Sequence, residues 1–184
     1  VSGPDDLDAA AAEIGYPCVL KIDSTDVIHK SDEGGVVLGI DSAEALEAAF
    51  ADMTTRFSDA EFVLQEQKPA GREIIIGATE SPGLGHLVMF GLGGVFVEVM
   101  RDVAFALAPL SRPEARTLMR SIKGFPILEG VRGEAGADLE AVEELLLRVS
   151  RMVADNPSIT ELDLNPILAT PDGASAVDVR LKVR

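Results

Sequence analysis

The chain has 184 residues, 47% hydrophobic and 26% charged, with 16 basic against 31 acidic side chains and a net charge of −15. That size suits one ordinary domain or two small lobes, and the apolar content excludes a disordered tail. The acidic balance argues against a nucleic-acid partner or an anionic membrane, and any phosphate ligand must be met by locally gathered cations or a divalent metal.

Pro4 and the acids behind it open a helix over Asp5 to Ile14 that stops at Gly15. Cys18, the only cysteine, starts an apolar run and reads as a buried small hydrophobe. It cannot form an internal disulfide, so a reducing, cytoplasmic setting is expected. Leu46, Ala49, Phe50, Met53 and Phe57 give one buried face to a helix from Asp41 to about Phe57. Ser111 and Glu114 form a capping box for a helix ending near Ile122. A fourth helix, Asp138 to Val153, carries Leu139, Val142, Leu145, Leu146, Val149, Met152 and Val153 on one stripe, and its acids are expected on a solvated face. Strands are expected at Cys18–Ile22, Gly35–Ile40, Glu61–Gln67, Glu73–Ala78, Leu87–Phe90, Val95–Met100, Val103–Leu107, Glu161–Leu168 and Ala176–Leu181. Helices and strands are interspersed without regular βαβ units, which favours an α+β architecture over a doubly wound sheet. Gln67 to Gly71 is the best hinge, dividing a smaller lobe over 1–67 from a larger one over 68–184. No run reaches the roughly 18 apolar residues of a membrane helix, and none reads as a signal peptide. The chain opens on Val1 rather than Met, as expected of a piece of something longer.

The C-terminal hairpin is the most informative feature. Alternation in Glu161 to Pro166 puts Glu161, Asp163 and Asn165 on one face, with Leu162 and Leu164 on the other. Asp178 and Arg180 likewise share a face opposite Val177 and Val179. Pairing about the turn at Pro171-Asp172 brings Asn165 opposite Asp178. An amide oxygen beside a carboxylate suits a hard cation such as Mg²⁺. The plain alternative is a solvated face of an edge hairpin. It leaves a row of acids uncompensated, and like charges across a strand pair are destabilising.

His29 and Lys30 precede the pair Gly34-Gly35. Glycines there let backbone N–H groups approach an anion, and a neutral imidazole can act as a base or accept a phosphoryl group. An ordinary surface loop is the competing reading. Lys21 lies in an apolar strand, where it can snorkel, pair with an acid or reach a phosphate. Gly91 to Gly94 lacks G-x-G-x-x-G spacing and reads as a tight turn. His86 reads as structural.

Several strings together resemble the ATP-grasp domain of ADP-forming acyl-CoA synthetases, of the acetate–CoA ligase type and related to succinyl-CoA synthetase beta chains. They are Tyr16-Pro17-Cys18-Val19-Leu20-Lys21-Ile22, Ile28-His29-Lys30-Ser31-Asp32 with Gly34-Gly35-Val36, and Gly71-Arg72-Glu73. Met89 to Gly94 with Val97-Glu98-Val99, Asp102 to Phe105, Leu128 to Gly133 and Glu161 to Pro166 follow in family order. The resemblance implies two α+β lobes clamping ATP or ADP with Mg²⁺. It casts Lys21 as a phosphate contact and Gln65, Glu66 and Gln67 as the adenine hinge, bonding largely through backbone. Glu73 is the implied ribose ligand, Asn165 and Asp178 the metal ligands, and His29 the phosphoryl acceptor. Glu98 and Arg101 are weaker carry-overs, and Arg132 receives no role. Acid, CoA and ATP would interconvert with acyl-CoA, ADP and phosphate. That chemistry needs a CoA-binding, alpha-like partner in cis or trans, and a homo-oligomer is also compatible. Family members usually begin with a further helix and strand, so the smaller lobe is expected to be truncated at its start. The alternative is a non-catalytic nucleotide-sensing or assembly domain of a multidomain protein such as an acyltransferase fusion.

Overall fold

A computed structural model describes residues 3–23, 34–58, 60–94 and 101–184. The chain divides into two compact units, Val1–Gln67 and Lys68–Arg184.

In the first unit, α1 (Pro4–Ile14) leads into β1 (Cys18–Asp23), followed by β2 (Val36–Ile40), α2 (Ala43–Arg56) and β3 (Glu61–Glu66). The antiparallel sheet has the order β2-β1-β3. Ser42 caps α2, its hydroxyl accepting the Ala45 N–H at 3.2 Å. Period-two alternation along β1 buries Cys18, Leu20 and Ile22 in a core with Leu7 and Ala11 of α1, Leu46 and Met53 of α2, and Phe62 and Leu64 of β3. Val19 and Lys21, and their cross-strand neighbours Gln65 and Val63, therefore lie on the sheet face turned away from the helices.

The second unit contains β4 (Arg72–Ser81), β5 (Gly85–Leu92), β6 (Val103–Leu107), α3 (Arg112–Arg120), α4 (Phe125–Glu129), α5 (Leu139–Asp155), β7 (Ile159–Thr170), β8 (Gly173–Ala176) and β9 (Val179–Val183). Its strands pair antiparallel in the order β6-β5-β4-β7-β8, with β9 also on β7. Ile74 and Ile76, Val88 and Phe90, and Leu162 and Leu164 face Leu118 of α3 and Val142, Leu146 and Val149 of α5. Helices covering one face of an antiparallel sheet make this an α+β fold. His86 is buried, its Nε2 lying 2.7 Å from the Ile159 carbonyl, and serves structure.

Several elements depart from the sequence pattern. Helix α4 has no counterpart among the expected helices, being too short to show a period. Strand β7 is central rather than part of an edge hairpin, because β4 covers its other side. The strand expected over Ala176 to Leu181 is two strands, broken at Val177-Asp178. The acids of α5 are not all solvated. Glu143 is buried, and it accepts from Arg116 Nε at 2.6 Å and Arg112 Nη1 at 2.8 Å. Two arginines on α3 supply the compensation that lets a carboxylate leave water. The strand expected at Val95–Met100 lies outside the described residues.

Candidate functional site

The long strand β7 builds the centre of the second unit's site. Its pairing with β4 runs Ile74 to Ile167 and Ile76 to Leu164, so one extra residue of β7 is accommodated between them. This bulge falls at Asn165-Pro166, and Pro166 offers no N–H to a ladder. On its other edge β7 keeps one register from Glu161 to Thr170, Leu164 opposite Val179 and Ile167 opposite Ala176. Between those pairs the Asn165 N–H donates to the Asp178 carbonyl at 3.3 Å, and the Val177 N–H to the Pro166 carbonyl at 3.1 Å. Leu162 and Leu164 are buried on the helix side, so alternation turns Asp163 and Asn165 to the open side.

The charges on that side interact. Asp163 is half-buried, and loss of hydration pushes its carboxyl above the usual aspartate range. Arg180 pulls it down, while Asp178 and Glu161 push it up. Asp178 and Glu161 therefore act on the same side of the ribbon as Asp163. Among the described residues no group of three or more His, Cys, Asp or Glu side chains is arranged around a common metal position. An amide and a carboxylate whose neighbourhood already carries excess negative charge nevertheless fit a hard, oxygen-seeking cation that keeps its remaining positions for water and phosphate.

At the N-terminal end of β4, Glu73 is exposed and packs against the Gly93-Gly94 segment. The Gly93 N–H donates to the Glu73 carbonyl at 2.7 Å. Gly94 adopts φ +59°, and a Cβ there would collide with the Glu73 carboxylate. The glycine pair thus makes room for this side chain as well as a turn. Arg101 is exposed and holds φ +48°, a left-handed conformation unusual outside glycine. The next residue, Asp102, accepts the Lys123 N–H at 2.8 Å and the Gly124 N–H at 2.6 Å, tying this segment to the start of α4. Asp163, Gly94 and Asp102 adjoin the candidate site residues and received no role from the sequence. The acid alternation and the glycine pair were their visible signals.

In the first unit, Lys21 lies on the helix-free face with Gln65 and Val63. The Gln67 N–H donates to the Pro17 carbonyl at 3.1 Å, and the Gln67 side-chain oxygen accepts the Gly39 N–H at 2.5 Å. Alternation then directs the peptide groups of Glu66 away from β1, towards the outer edge of β3. His29 and Glu98 lie outside the described residues.

The two α+β units are those of an ATP-grasp domain, and the chain belongs to the ATP-grasp domain family, whose model matches residues 1–183. More closely, it is an ATP-grasp part similar to those of ADP-forming acyl-CoA ligases. Acetate–CoA ligase [ADP-forming] I of Archaeoglobus fulgidus is 42% identical over 184 residues, covering 96% of this chain and 27% of that protein. The beta subunit of acetate–CoA ligase [ADP-forming] I of Pyrococcus furiosus is 42% identical over 178 residues, covering 93% of this chain and 77% of the subunit. Acetyl-coenzyme A synthetase 1 of Ca. Korarchaeum cryptofilum, solved with coenzyme A, Ca-AMPCP and HgCl+, superposes with a TM-score of 0.93 at 40% identity, covering all of this chain and 83% of that one. The same protein with coenzyme A and Mg-AMPPCP, its phosphohistidine segment pointing towards the nucleotide binding site, gives 0.86 at 42% identity, covering 97% of this chain and 83% of that one. The chain thus spans about a quarter of the one-chain Archaeoglobus ligase and about three quarters of the separate Pyrococcus subunit. No helix among the described residues is long and apolar enough to cross a membrane.

Proposed function

We propose that this chain binds ATP with Mg²⁺ and passes its γ-phosphoryl group, through His29, towards an acid and CoA held by an alpha-like, CoA-binding partner part, yielding acyl-CoA, ADP and phosphate. The observation that carries this reading is the bulged ribbon at Asn165 and its hydrogen bond to Asp178. Asn165 and Asp178 are the residues that would hold Mg²⁺, which when bound offsets the charge of the transferring phosphates. Lys21, on the helix-free face of the first unit, neutralises a nucleotide phosphate. The outward peptide groups of Glu66 offer one donor and one acceptor to adenine, and Gln65 and Gln67 flank them in the same strand end. Glu73 accepts from the ribose hydroxyls, and Arg101 adds a fixed cation at the same end of the sheet.

His29 must be neutral at the attacking nitrogen. The nitrogen lone pair bonds to the γ-phosphorus as the bond to the β,γ-bridging oxygen breaks, and ADP leaves with that electron pair. In the second half, an acyl carboxylate on the partner part takes the phosphoryl group, and CoA thiolate displaces phosphate from the acyl phosphate. A carrier histidine is needed because the nucleotide and the CoA thioester are bound by different parts of the enzyme.

The test is γ-labelled ATP with the complete enzyme, partner part included. Acid-labile, base-stable label on His29, abolished in His29→Ala, is the expected result. Label on another residue, or full acyl-CoA synthesis by His29→Ala, refutes the carrier role.

A further inference from the structure

Among the described residues only two that are not glycine have positive φ, and both are arginines: Arg101 at +48° and Arg132 at +56°. Both are exposed, and neither enters an ion pair among the described residues. Arg120 likewise enters no ion pair among the described residues, but its guanidinium lies 6.0 Å from the centroid of the Phe125 ring. Arg56, Arg72, Arg112, Arg116, Arg148, Arg151 and Arg184 all have acid partners.

The two arginines also lie at one end of the same sheet. β4 begins there, β5 ends there and β6 begins there, since Ile74 pairs with Leu92 and Gly91 with Val103. β7 ends there as well, Arg72 pairing with Ala169. The loop bearing Arg132 reaches the same end, because the Asp138 N–H donates to the Thr170 carbonyl at 2.7 Å and Glu134 lies 3.6 Å from Arg72. Asp102, beside Arg101, binds the turn that starts α4, and α4 runs directly into the Arg132 loop. The loop is closely built. A Cβ on Gly130 would come 2.5 Å from the Glu134 carbonyl oxygen, and one on Gly136 2.5 Å from the Glu129 carbonyl oxygen. Close backbone approaches at Gly130 and Gly136 thus hold the loop on either side of the arginine. The loop's own acid, Glu134, is drawn to Arg72, whose Nη2 is buried without a hydrogen bond among the described residues. That contact engages the loop's own carboxylate with Arg72.

We infer that Arg132 is a second phosphoryl-binding arginine beside Arg101, taking a phosphate oxyanion at the rim that also carries Glu73. Guanidinium forks fit phosphate in two parallel hydrogen bonds, and left-handed conformations held by surrounding structure recur where ligands are clamped. Arg72 is the positioning residue, fastening the loop through Glu134. The inference rests on the nucleotide reading above. The phosphate itself is either part of the nucleotide or the free phosphate of the overall reaction.

Arg132→Gly separates charge from backbone, because glycine accepts the left-handed conformation without penalty. Binding of adenosine, ADP, ATP and inorganic phosphate is measured by calorimetry on the complete enzyme, alongside its thermal midpoint. The expected result is an unchanged or higher midpoint and unchanged adenosine affinity. ADP and ATP affinity should fall about tenfold or more if the nucleotide supplies the phosphate. If free phosphate is the ligand, only phosphate binding falls. Arg132→Lys should recover part of either loss, since it keeps the charge without the fork. Unchanged affinity for all phosphate ligands overturns the inference, as does an equal loss of adenosine. Loss of association with the CoA-binding part, with ligand affinities intact, overturns it too. Should the unaltered enzyme bind no nucleotide, the nucleotide reading falls, and inorganic phosphate alone then decides the role of Arg132.

Discussion

The backbone N–H of Asn165 donates to the carbonyl of Asp178 across the β7 ribbon at 3.3 Å. The two residues sit where β8 has ended and β9 has not begun, and where β7 carries its bulge against β4. Asp178→Ala is therefore expected to remove Mg²⁺-dependent ATP binding while leaving the fold intact, because its side chain carries no core packing. The difference between affinities measured with Mg²⁺ and with chelator should shrink at least about tenfold in the variant. An undiminished Mg²⁺ effect in Asp178→Ala sinks the metal assignment. Asn165→Ala should act in the same direction more weakly, since a neutral amide contributes less than a carboxylate.

The second expectation concerns the close approach of Gly94 to Glu73. Gly94→Ala places a methyl group against the Glu73 carboxylate and forces a residue with a Cβ into φ +59°. The backbone cost is about 1 kcal/mol, and the carboxylate must swing away. If Glu73 reads the ribose, normal enzyme discriminates ATP from its 2′,3′-dideoxy form, and both Gly94→Ala and Glu73→Gln lose most of that discrimination. Comparing the two nucleotides on one variant cancels general destabilisation. Discrimination that survives in Glu73→Gln removes this residue from the ribose contact.

Local pattern revealed the parts of this molecule that depend on neighbours in sequence. The apolar run from Cys18 to Ile22 marked β1, with Lys21 inside it, and the turn at Pro171-Asp172 fixed the register that brings Asn165 opposite Asp178. What escaped depends on distant partners. The β7 bulge exists relative to β4, on the far side of three helices in the chain. Gly93 and Gly94 announce a turn, but the side chain that occupies the space comes from the neighbouring strand. Glu143 falls off the apolar stripe of its helix, and its burial is decided by Arg112, 31 residues away.

Glu143 provides the third expectation. Hydrogen bonds from Arg116 foremost, and also from Arg112, hold its carboxyl below the usual glutamate range, against burial, which raises it. The folded protein therefore binds this proton less readily than the unfolded chain does. The resulting stability is fully present above the ordinary glutamate value of about 4.3 and is lost as pH falls through the lowered folded value. Glu143→Gln keeps the shape and removes the charge, so it should destabilise the second unit at neutral pH by roughly 1–3 kcal/mol. The gap between normal protein and variant should close as the medium is acidified below about pH 4.3. Urea midpoints of the pair across that range isolate this one carboxylate from the many other acids. Removing the charge leaves Arg112 and Arg116 exposed enough to return to water, so the loss stays below that of stranding a buried cation. A gap that is absent at neutral pH, or that stays constant on acidification, rules out a stabilising charge at Glu143.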